Sequence, residues 1–313
     1  MFQQFRTLYC LNLKRAMMKN AYILHNPGAG DEGYSDSELI SLVKKNGFGC
    51  DYSSLKDSNW KDLFTPNDFL IITGGDGTIR KVIKQLLKQK SNFDFPIAII
   101  PSGTANNISK SLGVNSVLES QVKKWKSGRT TSFDIGWVEN GSDSNFFLES
   151  FGCGLFPRLM KEMKGVPKAL TSSPDQKIRK GLEMMYELLK DFAPSEYQIT
   201  VDGKSYNGSY LMVEAMNIKS LGPNLMLAPE ADFGDGRLEL VLVEPSQKQA
   251  LANYLEKRLN NEDCAFKTTV IKGKQILIQS STDDQHLDDK ILEQVHEKTS
   301  ISVYAKQLNF LVG

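Results

Sequence analysis

Thr73-Gly-Gly-Asp-Gly-Thr78 places three glycines within four positions, between an apolar run and a helical pattern. Gly74, Gly75 and Gly77 let backbone approach a phosphate without a Cβ clash, and the N-terminus of a following helix attracts anions. Asp76 fits such a loop poorly, since a carboxylate repels phosphate. It makes sense if Mg²⁺ intervenes, or if it orients or deprotonates an attacking hydroxyl. The plainer alternative is an Asp-Gly turn with Asp76 as helix N-cap. Pro101-Ser-Gly-Thr-Ala-Asn-Asn107 is a second loop of this kind. Thr104 there would cap a helix, and Gly103 beside it allows backbone and hydroxyl contacts to a phosphate or ribose. Two such loops in one sheet favour a shared nucleotide cleft over two accidental turns.

Two further glycine clusters carry less. Gly28-Ala-Gly30-Asp-Glu-Gly33 satisfies the dinucleotide pattern on paper, with Asp51 beyond it. Asn26-Pro27 intrudes before its first glycine, however, and the helix starts only near Asp36. A plain turn and another phosphate loop stay open there. Gly203-Lys-Ser205 looks like the tail of a P-loop, but Gln198 stands where glycine is needed and the setting is a hairpin.

The elements that position these loops follow from hydrophobic periodicity. Ala21 to His25, Phe69 to Ile72 and Pro96 to Ile100 read as strands, and Asp36 to Asn46 and Ala105 to Leu112 as helices. Ile79, Val82, Ile83, Leu86 and Leu87 form one apolar helix face, with Arg80, Lys81, Lys84 and Lys88 turned outward. This alternation implies βαβ units and a mostly parallel sheet. Beyond Asp134 strands dominate: Phe133 to Val138, Asn145 to Ser150, Tyr197 to Val201, Ser205 to Val213, Leu238 to Val243, Thr269 to Gln279 and Thr299 to Tyr304. Asp202-Gly203 marks a hairpin, and Ile178 to Phe192 a long helix. The expected fold is an α/β nucleotide-binding domain plus a β-sandwich domain, with flexible loops near Lys164 to Asp175 and Ser280 to Lys290.

Composition sets the bounds. The 313 residues suit two domains, and 38 Lys and Arg against 37 Asp and Glu leave a net charge of +1. That balance argues against a nucleic-acid partner. Cys10, Cys50, Cys153 and Cys264 are scattered, so reduced thiols and a cytoplasmic setting are expected rather than a disulfide scaffold. His25, His286 and His296 offer no local zinc pattern. No run is long and apolar enough for a membrane-spanning helix, and the N-terminus lacks a signal-peptide core. Residues 1–17 read as an N-terminal appendage, or as the product of an upstream start.

Asn26-Pro27 with Gly30, then Gly74 to Thr78, then Pro101 to Asn106, resembles the diacylglycerol kinase catalytic domain family, and more narrowly the soluble bacterial lipid kinases related to sphingosine and ceramide kinases. Asp134-Ile-Gly136, Asn217, Leu227 to Ala231 and Asp235 to Leu238 continue the likeness. The resemblance implies a nucleotide-binding domain over 18–133 plus about 305–313, a β-sandwich domain over 134–304, and Leu308 to Val312 as a returning strand. It also implies ATP and Mg²⁺, with the γ-phosphoryl group passing to a lipid hydroxyl in a cleft between the domains. Asn26, Gly30, Gly74, Gly75, Gly77, Thr78, Gly103, Thr104 and Asn106 would hold the nucleotide. Asp76 and Asp134 would organise the metal, and Asp288 with Asp76 would serve catalysis. The partners implied are a lipid with a free hydroxyl and transient contact with a membrane surface; a homodimer is compatible.

Two departures from the family pattern matter. Asn107 stands where an acid is common, and Asp288-Asp289-Lys290 where the family has Asp-Gly-Glu. Lys290 reverses a charge beside Asp288, which would hold that carboxylate ionised and weaken it as a base; a solvated acidic loop is the alternative. An ATP-dependent lipid kinase leads. Behind it stand a binding relative that transfers phosphate poorly, a NAD kinase-like enzyme acting on a soluble hydroxyl, and a dehydrogenase built on Gly28 to Gly33.

Overall fold

A computed structural model describes residues 20–29, 33–57, 60, 68–88, 95–114, 118–140, 143–293 and 297–312. The expected appendage and Gly30 lie outside them. The chain forms two compact units: one runs to Phe133 and resumes at Leu308, the other spans Asp134–Gln307.

The first unit contains β1 (Asn20–His25), α1 (Asp36–Lys45), β2 (Gly49–Ser54), β3 (Phe69–Gly74), α2 (Asp76–Lys88), β4 (Ile97–Pro101), α3 (Asn107–Ser111) and α4 (Leu118–Lys124). The strands are parallel in the order β2-β1-β3-β4, and Phe310 adds alongside Ile97. Helices cover such a sheet on both faces, so β3 is buried throughout its length. Ser35 and Glu38 form a capping box that starts α1. In α2 Ile79, Val82, Ile83 and Leu86 are buried as expected and Leu87 is half-buried, but Arg80 is not turned outward: it is 3% exposed.

The second unit begins within β5 (Thr130–Asn140) and continues through β6 (Asp143–Phe147), β7 (Ser150–Gly154), α5 (Leu155–Met163), α6 (Pro174–Asp191), β8 (Ser195–Val201), β9 (Lys204–Ser205), β10 (Gly208–Tyr210), β11 (Met212–Met216), β12 (Ser220–Leu221), β13 (Leu225–Met226), β14 (Leu238–Val243), α7 (Lys248–Leu259), β15 (Thr269–Gly273), β16 (Gln275–Ser280), β17 (Gln285–Leu287), β18 (Lys290–Ile291) and β19 (Lys298–Leu311). One antiparallel sheet has the order β15-β14-β11-β7-β17-β18; β10-β8-β16-β19 form the facing layer. Phe151, Cys153, Val213, Ala215, Leu240, Ile276 and Ile301 fill the space between them. Alternate residues of the same strands, including Met212, Met216, Val241 and Val243, point the other way and pack against α5, α6 and α7. The α/β domain with a β-sandwich domain is therefore the observed fold.

Several local expectations are corrected. Thr269 to Gln279 is two strands, because the chain turns at Lys274: Asp202 accepts the N–H groups of Lys274 and Gln275, and Gly273 lies against Val201 where no Cβ fits. Thr299 to Tyr304 and Leu308 to Leu311 are parts of one strand, β19, which ends before Val312 and in which Lys306 alone takes a positive φ of 55°. The stretch Ser280 to Lys290 is no open loop, since Asp284, Gln285, His286, Leu287 and Asp288 are all buried. Helices α5 and α7 add to the expected elements; Phe156, Leu159, Met160 and Met163, and Leu251, Tyr254, Leu255 and Leu259, give them an apolar face. Asp202-Gly203 does form the hairpin turn, with φ of 46° and 82°. Among the described residues no helix is long and apolar enough to cross a membrane.

Candidate functional site

Thr73 pairs with Ile100 and Gly74 with Pro101, so both glycine loops leave the sheet side by side at the strands' carboxyl ends. Ser102 N–H donates to the Gly74 carbonyl at 3.1 Å. Beyond it the loops meet glycine to glycine. A Cβ on Gly75 would lie 2.9 Å from Gly103 Cα, and one on Gly103 would overlap Gly75. Thr78 packs in the space that any side chain on Gly74 would need. Asn26 Nδ2 donates to Thr78 Oγ1 at 2.9 Å, which ties the Asn-Pro turn to the same place. Asn26, Gly74, Gly75, Thr78, Gly103 and Asn106 are thus brought together. Gly77 follows Asp76 in the first turn of α2, and Thr104 lies in the second loop.

Asp76 does something neither expectation anticipated. It opens α2, yet its carboxylate caps α3: Oδ2 accepts the Asn107 N–H and Oδ1 the Ile108 N–H, each at 3.0 Å. Backbone donors at a helix start are otherwise unsatisfied, which explains a carboxylate in a phosphate-type loop. Thr104 is not the cap of α3. Asn106 is, in the left-handed region at φ 51°, and its side chain bonds the N–H and carbonyl of Gly103 at 2.9 and 2.8 Å. Asn107 is buried behind it. At the neighbouring strand end His25 is buried, with Nδ1 2.9 Å from the Tyr52 hydroxyl, and burial lowers its pKa.

In the Gly28–Gly33 segment, α1 begins only after Ser35, so the third glycine does not open a helix as a dinucleotide fingerprint requires. Gly203-Lys-Ser205 is a hairpin.

The second unit holds the other expected acids. Asp134 is fully buried. Its oxygens accept the N–H groups of Gly236 and Lys306, both at 2.6 Å, and its carbonyl accepts from Asn217 Nδ2 at 2.9 Å. Burial, aided by Asp235 and Asp232, raises its pKa although the two N–H bonds oppose the rise. The side chain pins the 232–236 turn to β19. Near it, burial pushes Glu239 up to about 7 despite Lys272 at 3.0 Å.

Asp288 is not in a solvated loop either. It is 6% exposed, with φ 51° in the tight turn between β17 and β18. Its Oδ1 accepts the N–H groups of Leu148, Glu149 and Ser150 at 3.1, 2.8 and 3.2 Å. Lys290 is exposed.

Beside it lies a polar row that sequence reasoning missed. His286 Nε2 is 2.9 Å from Glu214 Oε2, and both residues are fully buried. Asp284 is bound by Arg158 and Lys161 at 2.8 and 2.7 Å; burial opposes its charge, but the two cations hold its pKa low. The one available signal was Gly152 and Gly154 interrupting an apolar strand, a mark of close approach.

These features agree with known proteins. Residues 20–138 match the diacylglycerol kinase catalytic domain, and residues 175–289 match the YegS C-terminal NAD kinase beta sandwich-like domain. The chain therefore carries a diacylglycerol kinase catalytic domain followed by that sandwich domain, and the resemblance read from its motifs holds. It is 26% identical over 278 residues to a diacylglycerol kinase of Staphylococcus epidermidis, covering 86% of this chain and 84% of that one. A Staphylococcus aureus diacylglycerol kinase is 24% identical over the same length, covering 86% and 85%. Among solved structures, a diacylglycerol kinase from Bacillus anthracis aligns with a TM-score of 0.70 at 20% identity, over 94% of this chain and 97% of that one. A NAD kinase from Archaeoglobus fulgidus, solved in complex with ATP, aligns at 0.50 and 12% over 93% of each. These two likenesses describe the fold.

Proposed function

We propose that this protein is an ATP- and Mg²⁺-dependent lipid kinase that transfers the γ-phosphoryl group to a lipid hydroxyl of diacylglycerol type. The observation that carries it is the Gly75–Gly103 apposition, braced by Asp76 across to α3. It leaves bare backbone at the carboxyl ends of β3 and β4, where open α/β sheets bind nucleotides. ATP fits on an orphaned polar atom: Ser102 Oγ, next after β4, is buried with no hydrogen-bond partner among the described residues, while a Cβ at Gly75 or Gly103 would run into the other loop. Gly74, Gly75, Gly77, Thr78, Gly103 and Thr104 would hold the phosphates and ribose, with Asn26 and Asn106 fixing the loops.

Mg²⁺ fits as an ion carried by the phosphates. Among the described residues no three of His, Cys, Asp and Glu gather to hold a metal, and Mg²⁺ commonly relies on substrate phosphates and water. It would neutralise charge on the transferred group. Removal of the hydroxyl proton is assigned to Asp288. The lipid substrate implies transient contact with a membrane surface, and the scattered cysteines suit a cytoplasmic setting.

A second reading rests on a specific observation. The carboxylates of Asp76 and Asp288 both hold backbone turns, which favours a relative that binds nucleotide or lipid but transfers slowly. Purified protein with ATP, Mg²⁺ and a panel of diacylglycerol, phosphatidylglycerol, sphingoid bases and NAD decides between them. Labelling of a lipid supports the kinase, ATP binding without turnover the second reading, and turnover of NAD alone a NAD kinase-like enzyme.

A further inference from the structure

Glu214, Gly152 and His286 lie in one row across β11, β7 and β17, since Gly152 is in register with both. They occupy the helix-facing side of the sheet, where the alternate residues Met212 and Met216 are core. Glu214 reaches His286 over the glycine, and a Cβ on Gly152 would overlap the carboxylate. Phe156 of α5 closes the row, its ring edge-on to the imidazole at 4.9 Å.

The protons can be placed from the partners. His286 Nδ1 is 2.9 Å from the Asp288 carbonyl oxygen, which can only accept, so Nδ1 carries hydrogen. Nε2 faces the Glu214 carboxylate at 2.9 Å. Two acceptors on one ring call for the doubly protonated imidazolium. Burial disfavours that charge, but Glu214 and the Asp288 carbonyl outweigh it and raise the His286 pKa. The nearby titratable groups are Asp284 and Asp288 beside β17 and Arg158 and Lys161 on α5, the last two being bound to Asp284; Cys153 on β7 and Tyr197 on β8 lie on the opposite face of the sheet.

A buried ion pair stabilises a fold weakly, and apolar replacement of such pairs is often neutral. Here the pair has a specific mechanical output. Asp288 is held at its carbonyl by His286, while its N–H donates to the Ser150 carbonyl at 2.8 Å and its carboxylate grips the Leu148–Ser150 turn. We propose that His286, charged and paired with Glu214 across Gly152, is a positioning residue that fixes Asp288 on the Leu148–Ser150 turn, so that phosphoryl transfer follows the His286 proton. The part concerning transfer rests on the lipid-kinase reading.

Loss of the proton from Nε2 sets a nitrogen lone pair against the Glu214 carboxylate and loosens the row. In Glu214→Gln the neutral ring still donates from Nδ1 and accepts from the new amide, so the row holds at high pH. The test measures ¹⁵N spectra of the His286 ring, hydrogen exchange at Leu148, Glu149 and Ser150, and lipid phosphorylation from pH 6 to 9. The expected wild-type ring is protonated on both nitrogens at pH 7. Above its pKa, amide protection and turnover fall together by about tenfold per pH unit, whereas both stay flat in Glu214→Gln. If that variant fails to fold, the apolar pair Glu214→Met with His286→Leu replaces it, and low protection at every pH is expected. A singly protonated ring at pH 7, or amides equally protected in all forms, overturns the proposal. Absence of lipid turnover with the ring and amide results as expected sinks the kinase reading alone.

Discussion

Gly75 and Gly103 touch backbone to backbone, and neither accepts a side chain: a Cβ on the first would lie 2.9 Å from the second's Cα. That contact sets two loops from different βαβ units at a fixed separation. Gly103→Ala is expected to force them apart, weakening ATP binding at least about tenfold and costing about 1–3 kcal/mol of stability. Calorimetric ATP titration and urea unfolding measure the two effects. Unchanged ATP affinity in a folded variant would show that the loops are not the nucleotide cradle.

Asp76 joins those loops through α3. Asp76→Ala leaves the Asn107 and Ile108 N–H groups without their charged acceptor, a loss of about 1–3 kcal/mol. Asp76→Asn keeps one acceptor oxygen and should recover part of that. Lipid phosphorylation is expected to vanish in the Ala variant. If Asn restores stability and full turnover, the negative charge has no part in transfer.

Glu239 makes stability depend on pH. Its pKa rises from the model-peptide value of 4.5 to about 7, burial being the main cause and Asp235 and Asp232 adding to it against Lys272. A raised carboxyl pKa means that the folded state holds the proton more tightly. The favourable contribution is full at low pH and is lost as pH climbs through about 7. Glu239→Gln should flatten this dependence and unfold at higher urea than wild type at pH 8, by about 1–3 kcal/mol. Equal pH slopes for the two proteins would contradict this.

Gly152→Ala probes the polar row from its middle. The added methyl group overlaps the Glu214 carboxylate, so a loss of about 1–3 kcal/mol is expected, with faster exchange at the Leu148–Ser150 amides. A variant as stable as wild type would mean that Glu214 does not lie over the glycine.

Much of the first unit was legible because its signals are local. The apolar run of β3, three glycines and the Ile79 to Leu86 stripe lie within one stretch of chain. Asp202-Gly203 was legible for the same reason. Asp76 as the cap of α3 was not, because its partners sit on the next βαβ unit and only the parallel pairing of β3 with β4 brings them near. Asp288 and His286 looked like parts of an acidic loop. Their burial depends on Leu148 to Ser150 and on Glu214, far away in sequence. The break at Lys274 likewise follows from the Asp202 carboxylate, a tertiary partner that strand periodicity does not reveal.

The most direct test of the account is transfer of radiolabelled γ-phosphate from ATP to diacylglycerol by the purified wild-type protein with Mg²⁺, beside Gly103→Ala. Labelled phosphatidic acid from wild type, lost in the variant along with ATP binding, is the expected result. No labelled lipid from a folded wild type that binds ATP would contradict it.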